Sequence, residues 1–128
     1  MMADRQKILV VDDDPAMQRM LSRLLGGHYD VVSVADGDAA LMMARAASPS
    51  LVLLDLGLPN LDGRQVLAEL RADPAMKRVP VIVITGRSRL DEDKGLDLPV
   101  DGYFSKPFDI EMLRGRIQRI LTRKGIAG

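Results

Sequence analysis

The chain has 128 residues, a length that fits one domain and is large enough to bury a hydrophobic core. Its 18 Lys and Arg residues balance its 18 Asp and Glu residues, which argues against a general grip on nucleic acid because that grip needs concentrated positive charge. Cysteine is absent, which excludes disulfides and thiolate metal sites, and no apolar run reaches the roughly 18 residues that span a bilayer. We therefore predict one soluble, cytoplasmic domain over residues 1–128, without contact to membrane or nucleic acid.

The first half of the chain alternates short apolar runs with longer amphipathic stretches. Ile8–Val11 is a continuous apolar run that ends in acids, as a strand buried on both faces would. A helix is predicted to begin at Pro15 and to stop at Gly26. Val31–Val34 is a second strand, and Asp36 can cap a second helix. The inner faces of the two helices are predicted to be Met17, Met20, Leu21, Leu24 and Leu25, and Ala40, Met43, Ala44 and Ala47.

The second half repeats this alternation. The predicted strands are Leu51–Leu54, which is followed by Asp55, Val81–Ile84, which ends at Thr85, and the brief pair Tyr103 and Phe104. The predicted helix caps are Asp62 and Asp109, and the last helix is expected to turn Leu113, Ile117, Ile120 and Leu121 inward. The segment 86–101 is the least regular, and Leu90–Leu96 could form a short helix.

Five successive βα units imply the α/β class, with a doubly wound five-stranded parallel sheet and helices on both faces. Functional sites of such sheets lie beyond the carboxyl ends of the strands. The polar residues just past the predicted strands are therefore the candidates for a site: Asp12, Asp13, Asp14, Asp55, Thr85 and Lys106.

These candidates are the parts that phosphoryl transfer requires. If the first and third strands are neighbours, several carboxylates crowd one volume, so one must take a proton or a cation must enter. A hard cation with oxygen ligands, Mg²⁺ above all, fits such a site. Lys106 could place a point charge on phosphate oxygens, and the Thr85 hydroxyl could donate to one of them. A carboxylate such as Asp55 would be the nucleophile, giving an acyl phosphate.

Four segments, in this order, resemble those of response regulator receiver domains from two-component phosphorelays. They are Ile8–Asp14, Leu51–Gly63, Val81–Thr85 and Tyr103–Phe108, and together they extend over nearly the whole chain. The resemblance implies a flavodoxin-like fold with strand order 2-1-3-4-5. Gly86 stands where the family commonly has Ala, and Leu58 where it commonly has Met.

The resemblance also implies the roles of individual residues. Asp55 would accept a phosphoryl group from a sensor histidine kinase or a histidine phosphotransfer protein. The metal ligands would be Asp12, Asp13, Asp55 and the backbone carbonyl of Gly57. Thr85 and Lys106 would bind the phosphoryl oxygens, and Thr85 and Tyr103 would form the switch. The chain would then catalyse only its own phosphorylation and dephosphorylation.

Three other classes of protein remain as alternatives: a magnesium-dependent phosphatase or hydrolase, a receiver-like interaction module that does not use phosphate, and a flavodoxin-like cofactor binder. Against the phosphatase, the chain contains no Asp-x-Asp-x-Thr signature. Against the flavin binder, aromatic residues that could sandwich a flavin make up only 3% of the chain. The expected output is a downstream protein or a further output domain. The cognate kinase, self-association to a homodimer, and membership of a longer regulator or hybrid kinase are left open by the sequence.

Overall fold

Five parallel strands form one sheet in the order β2-β1-β3-β4-β5. They are β1 (Lys7–Val11), β2 (Asp30–Val34), β3 (Leu51–Leu54), β4 (Val81–Gly86) and β5 (Gly102–Lys106). The computed structural model describes residues 5–86 and 99–127, with side chains described to residue 122. The predicted α/β class, the parallel sheet and the strand order are confirmed.

Helices cover both faces of this sheet. They are α1 (Pro15–Leu25), α2 (Gly37–Ala47), α3 (Gly63–Ala72) and α4 (Ile110–Ala127). Successive residues of β1 alternate between the faces, with Leu9 and Val11 toward α2 and α3, and Ile8 and Val10 toward α1 and α4. The helix residues most deeply buried against the two faces are Ala40, Ala44, Val66, Leu67 and Leu70, and Leu21, Leu25, Leu113, Ile117, Ile120 and Leu121.

Aspartates cap the amino ends of all four of these helices. The predicted caps are confirmed: Asp36 accepts from the Ala39 amide at 2.8 Å, and Asp62 and Asp109 accept from Arg64 and Met112. A carboxylate at this position satisfies a helix amide that has no intrahelical partner. The fourth cap is Asp14, which accepts from the Ala16 amide at 2.9 Å. The sequence had placed Asp14 among the candidate acids, but its carboxylate serves α1.

The last two strands are longer than predicted. The sequence predicts a strand over Val81–Ile84 that ends at Thr85, yet β4 continues to Gly86, and β5 extends beyond Tyr103 and Phe104 to Lys106. Parallel pairing is made by the backbone, so it continues past the apolar run, with Thr85 opposite Ser105 and Gly86 opposite Lys106. The predicted helix at Leu90–Leu96 lies outside the described residues.

Two glycines allow α2 and α3 to begin close to the loop that follows β3. A Cβ atom on Gly37 would overlap the backbone oxygen of Leu61, and one on Gly63 would overlap the backbone oxygen of Asp55. The Gly63 amide also donates to the Leu56 carbonyl at 3.1 Å. The loop between β3 and α3 is therefore held between two helix starts that have no side chain at the point of contact.

Arg71, near the end of α3, ties three backbone segments together at the amino edge of the sheet. Its guanidinium donates to the carbonyls of Val79 at 2.7 Å, Lys77 at 3.1 Å and Pro99 at 2.9 and 3.1 Å. Burial lowers the pKa of this guanidinium, and the charge of Asp101 acts in the opposite direction.

Among the described residues, no helix is long and apolar enough to cross a membrane.

Candidate functional site

Four polar side chains meet at the carboxyl edge of the sheet because their strands are neighbours. β1 pairs with β3 up to Val11 and Leu54, so Asp12 and Asp55 emerge side by side. The Asp55 amide donates to the Val11 carbonyl at 2.9 Å, which extends this pairing by one residue. Thr85 in β4 and Lys106 at the end of β5 complete the edge.

Lys106 and Thr85 hold the Asp55 carboxylate from two sides. Lys106 Nζ donates to Asp55 Oδ2 at 3.0 Å and to Asp12 Oδ2 at 2.7 Å. Thr85 Oγ1 donates to Asp55 Oδ1 at 2.9 Å, and the Gly57 amide donates to the same oxygen at 3.0 Å. The sequence-predicted catalytic residues Asp55, Thr85 and Lys106 thus form one hydrogen-bonded group.

The group lies largely out of solvent. Thr85, Asp12 and Asp55 expose 1%, 3% and 7% of their surface. Burial raises the pKa of Asp12, although the hydrogen bond from Lys106 acts in the opposite direction. Burial also disfavours the Lys106 ammonium, but the hydrogen bonds that it donates to two carboxylates outweigh this effect and raise the pKa of Lys106. Hydrogen bonding outweighs burial at Lys106, because this side chain is the more exposed partner and faces two acids. Burial outweighs hydrogen bonding at Asp12, which is more deeply buried and faces one cation.

Three carboxylates are placed to share a cation. Oxygens of Asp12, Asp13 and Asp55 all lie within 4.8 Å of one another, with Asp13 exposed and the other two buried. An all-oxygen set of few protein ligands suits Mg²⁺, which keeps several of its waters. Asp14 Nα donates to Asp12 Oδ1 at 2.9 Å, which fixes that carboxylate within the loop. The described residues therefore fit the predicted ion.

Two predicted site residues lie apart from this group or act through their backbone. Tyr103, the predicted switch residue, lies in β5 opposite Val83 and is 41% exposed. Gly57 follows Asp55 by two residues, and its carbonyl is still a predicted ligand. Gln18 was not among the predicted site residues, yet its side-chain amide donates to the Asp12 carbonyl in the acidic loop. Its only signal was a polar residue beside Met17 on the inner side of a predicted helix.

Comparisons with known proteins agree with this geometry. The family model described as response regulator receiver domain matches residues 8–118. The probable transcriptional regulator ycf27 of Porphyridium aerugineum is 43% identical over 121 residues, which are 93% of this chain and 49% of that relative. The DNA-binding response regulator MtrA of Mycolicibacterium smegmatis is 41% identical over 121 residues, which are 93% of this chain and 52% of that relative.

A solved structure gives the same result for the fold. The receiver domain of the sensor histidine kinase PA1611 from Pseudomonas aeruginosa PAO1 is 34% identical and superposes with a TM-score of 0.84. The match covers 92% of this chain and 98% of that domain, which has a magnesium ion coordinated in its active site cleft.

These relatives also limit what can be carried over to the chain. The chain spans about half the length of the curated relatives that it matches. MtrA is a DNA-binding protein, so the predicted absence of nucleic acid among the partners does not extend to the longer relatives. The family match gives no support to the alternative of a magnesium-dependent phosphatase. The chain belongs to the response regulator receiver domain family of two-component systems.

Proposed function

We propose that the chain accepts a phosphoryl group on Asp55 from a histidine kinase or a histidine phosphotransfer protein, and that this modification switches a protein-interaction surface. The observation that supports it best is the group around Asp55. This buried carboxylate accepts hydrogen bonds from Thr85 and Lys106, and one of its oxygens lies within 4.8 Å of carboxylate oxygens of Asp12 and Asp13.

In the proposed reaction an Asp55 carboxylate oxygen forms a bond to phosphorus. The bond from phosphorus to the donor's imidazole nitrogen breaks, and the imidazole leaves with the electron pair. Asp12, Asp13, Asp55 and the Gly57 carbonyl would hold Mg²⁺, and the bound ion would supply positive charge next to the transferring phosphoryl oxygens.

The other two side chains are assigned to the product. An acyl phosphate presents additional oxygens, which need donors in a site from which water is largely excluded. Lys106 would supply a charged donor and Thr85 a hydroxyl. Both side chains already donate to Asp55, so they would need only short movements to donate to the phosphoryl oxygens.

The assignment of Asp55 is tested with acetyl phosphate and Mg²⁺, followed by mass spectrometry and fragmentation. We expect one phosphoryl group per chain, located on Asp55 and dependent on Mg²⁺. Asp55→Asn should abolish it, whereas the matched surface change Asp109→Asn should leave it intact. A phosphoryl group that forms at wild-type yield in Asp55→Asn would contradict the proposal.

The switching surface is proposed to comprise residues 86–103, of which residues 87–98 lie outside the described residues, and the neighbouring face of α4. Phosphate on Asp55 would draw on the Thr85 hydroxyl, and Tyr103 would change position in response, which biases a two-state equilibrium. The partner that binds this surface would be a downstream protein or an output domain. Amide hydrogen exchange with and without a beryllofluoride mimic tests this directly. Protection changes confined to residues 17–25 or 39–47 would exclude the proposed surface.

A further inference from the structure

The Gln18 side chain crosses from α1 to the backbone at the ends of β1 and β2. Its Nε2 donates to the Asp12 carbonyl at 2.6 Å and to the Val34 carbonyl at 3.1 Å. The Val34 carbonyl also accepts the Asp12 amide at 3.1 Å. One side-chain amide nitrogen therefore joins the ends of two neighbouring strands to α1.

The carbonyl that Gln18 binds belongs to the peptide that joins Asp12 to Asp13. On one side of this peptide, the Asp12 carboxylate is fixed by the Asp14 amide and by Lys106. On the other side, Asp14 is fixed as the cap of α1, and its carbonyl accepts a hydrogen bond from the backbone amide of Gln18 at 3.0 Å. The peptide between them is the part of the loop that the Gln18 side chain holds.

Rotation of this peptide would change the direction of the Asp13 side chain. Asp13 is the exposed member of the three carboxylates whose oxygens lie within 4.8 Å of one another. Its position relative to Asp12 and Asp55 depends on the peptide that precedes it. A residue that fixes this peptide therefore acts on the geometry of the cation site without touching the cation.

We propose that Gln18 is a positioning residue for the metal site, an inference that rests on the proposed function: its side-chain amide fixes the Asp12–Asp13 peptide and so directs Asp13 toward Asp12 and Asp55. Groups that orient metal ligands commonly contribute tenfold or more to metal affinity. Gln18→Met keeps the length of the side chain and removes both N–H donors. The matched control is Ser22→Ala, one turn further along α1 on an exposed side chain.

The experiment has a metal-free arm and a metal arm. Without metal, amide hydrogen exchange at Asp14 should become several-fold faster in Gln18→Met, because the loop that holds the Asp12–Asp14 bond is released. With Mg²⁺, titration calorimetry should show affinity reduced about tenfold. Ser22→Ala should match the wild type in both arms. If Gln18→Met does not fold, Gln18→Asn takes its place, since its amide is one methylene too short to reach the Asp12 carbonyl.

The outcomes separate this inference from the proposed function. Unchanged exchange at Asp14, or Mg²⁺ affinity within about twofold of the wild type, overturns the positioning role of Gln18 while the metal site stands. Failure of the wild-type protein to bind Mg²⁺ overturns the metal site itself, and the role of Gln18 with it. Faster exchange together with weaker Mg²⁺ binding supports the inference.

Discussion

Thr85 in β4 donates a hydrogen bond of 2.9 Å to Oδ1 of Asp55, which follows the neighbouring strand. The same oxygen accepts the Gly57 amide at 3.0 Å, whereas Oδ2 faces the Lys106 ammonium. The two oxygens of one carboxylate thus have different partners: two neutral donors on one side and a cation on the other. Each of the two side-chain donors, Thr85 and Lys106, can be removed by a single substitution.

Replacing Thr85 by Val keeps the shape of the side chain and removes the hydroxyl from a buried position. Hydrogen bonds to charged groups contribute about 1.5–3 kcal/mol, so we expect the free energy of unfolding without metal to fall by about 1–3 kcal/mol. Urea denaturation measures this. Thr85→Ser keeps the donor and should lose less, and a Val variant as stable as the wild type would show that the bond contributes little to the fold.

Asp13→Ala removes the exposed member of the three carboxylates. We expect Mg²⁺ binding and phosphorylation to be lost together, because the cation loses a ligand that can be reached from solvent. Without metal, removal of one like charge should leave the thermal midpoint unchanged or raise it. Calorimetric titration and thermal denaturation check the two expectations. Asp30→Ala, an exposed acid at the opposite edge of the sheet, is the control for surface charge.

Lys106→Met removes the cation that Asp12 and Asp55 share, and its effect should depend on pH. The raised pKa of Lys106 means that the ammonium stabilises the fold at pH values below 10.5, and that this contribution is lost as the pH rises through the folded-state pKa. At neutral pH we expect a folded variant that is less stable by about 1–3 kcal/mol, a value reduced for the partial exposure of the lysine.

Acid should partly restore this variant. Burial already raises the pKa of Asp12, and loss of the ammonium should raise it further. As the pH falls through that pKa, protonation removes one of the crowded charges, so the stability gap to the wild type should narrow. Thermal midpoints from about pH 5 to pH 8 give the comparison, with Lys77→Met as a surface control. A gap that widens toward acid pH would contradict the charge-based explanation.

Two glycine substitutions should change stability in opposite directions. Gly37→Ala places a methyl group against the Leu61 backbone and should destabilise the fold by about 1–3 kcal/mol, as overpacking does. Gly115 lies within α4, where an added Cβ meets nothing within 4 Å. Gly115→Ala should therefore stabilise the fold by about 0.5–1 kcal/mol through helix propensity. Urea denaturation of both variants checks the contrast, and loss of stability in Gly115→Ala would refute the second expectation.

Most of the fold could be predicted from the sequence because its signals are local. Apolar runs such as Ile8–Val11 identify strands, and acids such as Asp36 and Asp62 mark helix starts by their side-chain chemistry. The carboxylate cluster was also predictable, since residues that follow neighbouring parallel strands must meet at one edge. The roles of these residues in phosphoryl transfer are still predictions.

What the sequence did not reveal depends on contacts between distant segments. Asp14 was grouped with the acids of the site because capping and metal binding use the same carboxylate, and only the backbone direction at Ala16 distinguishes them. Gln18 and Arg71 bind backbone carbonyls, and carbonyls carry no residue identity that a sequence pattern could show. The ends of β4 and β5 were misjudged because Thr85 and Lys106 are polar, although strand pairing does not depend on polarity.

The hydrogen bonds of Arg71 bear on how an event at the site would be sensed elsewhere. Gly86 is paired with Lys106 beside the site, while Pro99 is bound to Arg71 at the other edge of the sheet. These two attachments share no residue, so we expect Pro99 to keep its position if Gly86 moves. A displacement of Gly86 would then change the separation between the two points. Two spin labels at exposed positions beside these points could measure this distance during phosphorylation. Arg71→Ala should broaden the measured distance distribution, because it releases the Pro99 end.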